Sequence, residues 1–162
     1  MRKVKKVLRA LIIGALIMNI SVFNVYADGL DDLGKVVDGS VLTNQSTSKD
    51  VQPALTRGNY LNQGTAQITN LGGGKVNAYG ATLCHVTCDR ITLSITLQRY
   101  SGGYWNNVET YEYSANNSSS LARSVNVSVA KGYYYRVKGL STAKKGSTVE
   151  SHMPITDGIW IG

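Results

Sequence analysis

The chain has 162 residues, with 17 Lys and Arg against 10 Asp and Glu and a formal net charge of +7. Five of the basic residues and none of the acidic ones fall in the first 27 positions, so the other 135 residues carry twelve against ten, a net of +2. That near-neutral balance excludes the basic footprint of a nucleic-acid-binding domain, and the length suits one domain with its own core rather than two.

In chain order, the first element is a leader. Arg2, Lys3, Lys5, Lys6 and Arg9 form a cationic n-region, Ala10 to Met18 an apolar h-region, and Val25-Tyr26-Ala27 a peptidase site, which predicts a signal peptide over 1–27 with cleavage before Asp28. Asn19, Ser21 and Asn24 interrupt the apolar run before the roughly 18 to 20 residues of a membrane span. With no cysteine near the cleavage site and no hydrophobic tail in Ile159-Trp160-Ile161-Gly162, the expectation is a secreted protein, free or held non-covalently at the cell wall, with no membrane contact after cleavage.

Residues 28–57 are polar, with Asp28, Asp31, Asp32, Asp38 and Asp50 against Lys35 and Lys49 and no sustained apolar period. They read as a flexible arm with a short strand around Ser40 to Thr43. Residues 58–162 read as a β-domain. Its clearest strand is Arg90 to Tyr100, where Ile91, Leu93, Ile95 and Leu97 alternate with Thr92, Ser94, Thr96 and Gln98. Ser101-Gly102-Gly103 turns the chain into Tyr104 to Tyr113, because paired glycines supply the positive φ of a tight hairpin. Asn116 to Ser120 reads as the next turn, before strands at Arg123 to Val129 and Tyr133 to Leu140; weaker strands are expected at Thr65 to Leu71, Lys75 to Thr82, Thr148 to Met153 and Gly158 to Ile161. About seven to eight short antiparallel strands, each with one apolar face, predict an all-β fold, a β-sandwich of immunoglobulin-like or jelly-roll-like type, with a closed barrel as the alternative.

Cys84-His85-Val86-Thr87-Cys88 holds both cysteines. Extended, that stretch separates them by about 13 Å, whereas bridged Cα atoms lie within about 7 Å, so a disulfide requires a turn or bulge within His85 to Thr87. Cys84 and Cys88 also share a parity opposite to Ile91 to Leu97, which a bulge near Asp89 would reconcile. Disulfide and free buried thiols both remain open. One close ligand pair does not make a zinc site, even with His152 added, so no metal and no cofactor are expected. Glu109 and Glu112 have opposite parity and cannot form a glycosidase pair, no nucleophile elbow or phosphate loop occurs, and the expectation is a protein that is not an enzyme, with no catalytic residues.

Beyond residue 27 there are nine tyrosines, two tryptophans and no phenylalanine. Such rings stack on sugars or proteins while their polar atoms stay wet, although strands and sandwich ends also use them. Between Glu112 and Glu150 lie six cations and no acid. Tyr134 is expected to point outward with Arg136 and Lys138, and Tyr133 and Tyr135 inward with Val137. Tyr104, Trp105, Tyr134, Arg136 and Lys138 are therefore the candidate ligand-binding residues, for a glycan or an anionic cell-wall polymer.

Arg57-Gly58-Asn59-Tyr60-Leu61, Cys88-Asp89, Leu97-Gln98-Arg99-Tyr100, Trp105, Lys131-Gly132-Tyr133-Tyr134-Tyr135-Arg136-Val137 and Thr156-Asp157-Gly158-Ile159 together resemble a family of small secreted Firmicutes proteins catalogued as a domain of unknown function. The resemblance implies a secreted all-β domain in a Gram-positive bacterium and supplies neither an activity nor site residues. Three readings of function follow: an extracellular binding module for a glycan or cell-envelope component, a structural protein that self-associates through its tyrosines, and an exported hydrolase.

Overall fold

The computed structural model of the protein describes residues 41–54 and 58–162. The expected signal peptide and the arm up to residue 40 lie outside the described residues. Eight strands follow in order: β1 (Leu42–Thr43), β2 (Thr47–Pro53), β3 (Leu61–Gly72), β4 (Lys75–Ser101), β5 (Tyr104–Ser128), β6 (Tyr133–Lys145), β7 (Thr148–His152) and β8 (Gly158–Ile161), with no helix among the described residues. They form one sheet in the order β1-β8-β6-β4-β3-β2, with β5 beside β4 and β7 beside β6. The sheet is mixed, because β1 runs parallel to β8 while every other pair is antiparallel.

The long strand β4 organises the fold. Its first half pairs with β3, from Leu61↔Cys84 to Gly72↔Lys75, its second half pairs with β6, from Arg90↔Lys144 to Arg99↔Tyr135, and β5 follows it along the other side. The β4–β5 hairpin folds over at its middle, so the sheet curls into two leaves that face each other. Thr82 Oγ1 donates to the Thr92 carbonyl and Ser141 Oγ to the Ala81 carbonyl, both at 3.1 Å and both between leaves. A Cβ on Gly80 would lie 2.9 Å from Ile95 Cγ1, so the missing side chain is what lets the leaves close. Ala66, Ile68, Val76 and Ala78 of the first leaf and Ile91, Leu93, Ile95, Leu97 and Val137 of the second form the buried core between them.

An irregularity at the fold line resolves the parity conflict. Leu83 is opposite Ser120 and Cys88 is opposite Ser118, so five steps of β4 match two of β5. This excursion at 84–87 carries β4 from an even-numbered core face, Val76 to Cys84, to the odd-numbered one, Ile91 to Leu97, while β5 turns odd residues inward on both sides of it, Tyr111 to Ala115 and Leu121 to Val127. The bulge lies just before Asp89, where the parity of the cysteines called for one.

Three expectations are corrected. The expected short strands at Lys75 to Thr82 and Arg90 to Tyr100 are one strand of 27 residues. Asn116 to Ser120 is no turn but part of β5, where Asn117 takes φ 48°, a conformation Asn tolerates better than most residues. The arm reading fails over 47–53, because β2 pairs with β3 along its whole length. Its polar side chains hold the segment between β7 and β8: Asp50 accepts from Ile155 N at 2.8 Å, Ser48 Oγ from Asp157 N at 2.9 Å, and Gln52 exchanges two bonds with Met153. An edge strand anchored by hydrogen bonds needs no apolar alternation, and alternation is the signal the sequence reading relied on.

Candidate binding site

Because odd residues of the second leaf build the core, its even residues form an outer face. Across that face Glu112, Ser94 and Leu140 are cross-strand neighbours, as are Ser114, Thr92 and Thr142, then Thr110, Thr96 and Lys138. Arg90, Thr92, Ser94, Glu112, Ser114 and Leu140 line a shallow groove of about 400 Å³. Arg90 Nη2 donates to Ser114 Oγ at 3.4 Å, the Thr96 and Thr110 hydroxyls lie 3.1 Å apart, and those of Thr92 and Thr142 are also bonded. The groove offers hydroxyls that donate and accept, one guanidinium, one carboxylate and an apolar patch at Leu140. That set suits a polyhydroxylated ligand rather than bond-breaking chemistry.

The same face continues to a cluster of aromatic rings. Gly102 and Gly103, at φ 64° and 84°, turn the β4–β5 hairpin, and its end folds down so that a Cβ on Gly158 would lie 2.6 Å from Trp105 Cη2 and 3.0 Å from Leu42 Cδ2. Trp105 thereby roofs Arg136, whose guanidinium carbon is 4.3 Å from the ring centroid. Arg136 Nε donates to Gln98 Oε1, and Gln98 Nε2 donates to Asn107 Oδ1, both at 2.7 Å. Burial lowers the Arg136 pKa to about 10, so it remains a cation at neutral pH. Tyr100 packs 5.2 Å from Trp105, and the Trp105 Nε1 is buried without a hydrogen-bond partner. Beyond Arg136, Tyr134 meets Trp160 edge to face at 5.0 Å, and Trp160 is 40% exposed.

Of the five candidate ligand residues, the structure brings Trp105, Tyr134, Arg136 and Lys138 to this one face. Tyr104, opposite Ser101, projects from the hairpin tip with the other parity and is 76% exposed. Arg136 is corrected from an outward, solvated cation to one that is 7% exposed beneath Trp105. Tyr133 is corrected from inward to exposed, with the Arg99 guanidinium stacked 4.7 Å from its ring, whereas Tyr135 is buried as expected. Sequence reasoning missed Trp160 and the groove. The Thr92, Ser94 and Thr96 alternation marked a wet face, but nothing in a linear sequence shows which residues of β5 and β6 lie beside it.

Two buried groups lie elsewhere. Cys84 and Cys88 are buried free thiols. Burial first, then a hydrogen bond with Cys88, pushes the Cys84 thiol up to about 12. Burial would likewise raise the Glu150 pKa, but backbone N–H groups of Leu61, Asn59 and Tyr60, at 2.7 to 3.0 Å, and the nearby His152 outweigh it, so the carboxyl is held below its usual range. Glu150 thus ties β7 to the start of β3. Among the described residues no group of three or more His, Cys, Asp or Glu is gathered as metal ligands.

A family model matches residues 33–157. The chain belongs to a family of unknown function (DUF6147). No curated protein and no solved structure matches it. The DUF6147 match takes in β1 to β7 and with them the whole groove; Trp160, on β8, lies outside it.

Proposed function

We propose that this protein is a secreted, non-enzymatic binding module that takes a glycan, or an anionic polymer of the cell envelope, on the outer face of the second leaf. Export is read from the cationic and apolar leader of residues 1–27. The observation that carries the binding reading is the shared face: a hydroxyl-lined groove with Arg90 and Glu112, the Lys138 ammonium, and the half-exposed Tyr134–Trp160 pair occur together on one side of four adjacent strands, β5, β4, β6 and β8. The hydroxyls and Glu112 would bond sugar hydroxyls, Trp160 would stack on a ring, and Lys138 with Arg90 would bond phosphates and favour an anionic chain. The test is retention of the purified protein on cell-wall fractions and soluble polysaccharides across a salt series. Lys138→Ala should flatten the salt dependence, and Trp160→Ala should weaken binding at every salt concentration; no retention at low salt rejects the proposal.

A second reading, self-association, rests on the β5 edge. Among the described residues this 25-residue strand pairs only with β4, which leaves one long side able to add a strand from another copy. Sedimentation over a range of protein concentrations separates the two readings, because only self-association changes with concentration in the absence of polymer.

A further inference from the structure

We propose that Cys84 and Cys88 are a built modification site, a thiol pair that closes into a disulfide across the fold line of β4. In an ordinary strand the two residues stand too far apart to bridge. Here Leu83 and Cys88 face Ser120 and Ser118, so the stretch from 83 to 88 advances by only two residues of the partner strand, about 7 Å. That contraction brings the ends of the excursion to about the upper limit for bridged Cα atoms, and Cys84 and Cys88 both lie within it. The intervening His85, Val86 and Thr87 are all exposed, while both cysteines turn inward at 6% and 1% exposure, which directs the two sulfurs toward the same core. Cys88 Sγ donates to the Val86 carbonyl at 3.5 Å, a local bond that holds the thiol against the excursion. After burial, the neighbouring Cys88 thiol is the next cause that pushes the Cys84 pKa up.

The surroundings give such a bond a purpose. The excursion is where β4 passes from one leaf to the other, and no β5 residue pairs with 84–87. Other contacts hold it from outside: His85 N donates to the Tyr60 carbonyl at 2.8 Å, Lys145 Nζ donates to the Thr87 carbonyl, and Gly146 N donates to Asp89 at 2.7 Å. A covalent tie between its ends would fix the length of the excursion and with it the angle between the leaves. The step is a thiol–disulfide exchange with a disulfide oxidant such as oxidised glutathione. Two S–H bonds break, one S–S bond forms between Cys84 and Cys88, and the two electrons and two protons leave with the oxidant as two thiols. Because Cys84 is buried and protonated, oxidation should be slow in the folded protein and fast while the chain folds, when the thiols are reachable.

The test is the intact mass of the full chain after refolding from denaturant in a glutathione redox buffer, followed by alkylation with iodoacetamide under denaturing conditions. The expected result is a protein lighter by two hydrogens that takes up no alkyl group until it is reduced and two afterwards, with a peptide map that links 84 to 88. Cys84→Ser and Cys88→Ser should each leave one thiol that alkylates or carries a glutathione. Wild-type protein that takes up two alkyl groups without reduction, or two glutathiones, overturns the proposal, and that reading does not depend on either variant folding.

Discussion

The two ends of the second leaf's outer face use similar residues for opposite ends. At the hairpin end, Trp105 lies flat over Arg136 and against Gly158, and Arg136, Gln98 and Asn107 spend their hydrogen bonds on one another. At the other end, Arg90, Glu112 and the Ser and Thr hydroxyls border an open groove. An aromatic ring beside a cation is therefore no binding signature by itself. What separates packing from recognition is whether the polar atoms are already satisfied and covered, which depends on how the neighbouring hairpin folds down.

The sharpest way to break this contrast is Trp105→Ala. Removing the roof uncovers Arg136 and should cost about 3 kcal/mol of stability, the low end for a large aromatic because the ring is only partly buried; chemical denaturation reads it, and an unchanged midpoint would return Trp105 to the list of ligand residues. Gly158→Ala should cost about 2 kcal/mol by driving a methyl group into the Trp105 ring. In the Trp105→Ala background most of that cost should vanish, because the colliding ring is gone, and a double-mutant cycle measures the difference.

Glu150→Gln provides a contrast away from the face and should cost about 2 kcal/mol, since a neutral amide cannot accept three backbone N–H bonds as a carboxylate does. The carboxyl's pKa is lower folded than unfolded, so its stabilisation is complete above the ordinary carboxylate range and is lost as pH falls through the folded value. Melting temperatures between pH 7 and pH 3 (roughly the span of carboxylate titration) should therefore fall more steeply for the wild type than for Glu150→Gln; parallel curves would show that the clamp is worth little.

Trp160→Ala should change stability by about 1 kcal/mol or less, losing its edge-to-face contact with Tyr134, while weakening polymer retention. The smallest stability effect, within about 0.5 kcal/mol, is expected for Arg90→Ala, whose guanidinium makes one long bond to Ser114 on an exposed surface. A loss of retention with no change in the melt would place recognition at the groove, and a loss of both would make the groove another packed region.

The sequence made the all-β class legible, together with the core face of Arg90 to Tyr100 and the hairpin turn at Gly102-Gly103, because period-two alternation and paired glycines are local signals. It also put Tyr134, Arg136 and Lys138 on one face, since parity along β6 is local, whereas Trp105 joins them from β5. The missed features were non-local. β2 is held by hydrogen bonds to chain about a hundred residues away, Arg136 is buried by a ring from another strand, and Trp160 joins Tyr134 only through the pairing of β8 with β6.

What the sequence determined alone is therefore the type of the strongly alternating elements and the side on which most of their residues fall, because both follow from backbone geometry within a few residues. Tertiary structure decided the rest: that β4 is one strand folded at 84–87 rather than two, that the excursion turns both Cys84 and Cys88 into the core, and that Trp105 covers a cation instead of facing solvent. Each of these depends on register between segments distant in the chain, and a shift of one residue in that register would exchange the inside and outside of a leaf without altering any local preference.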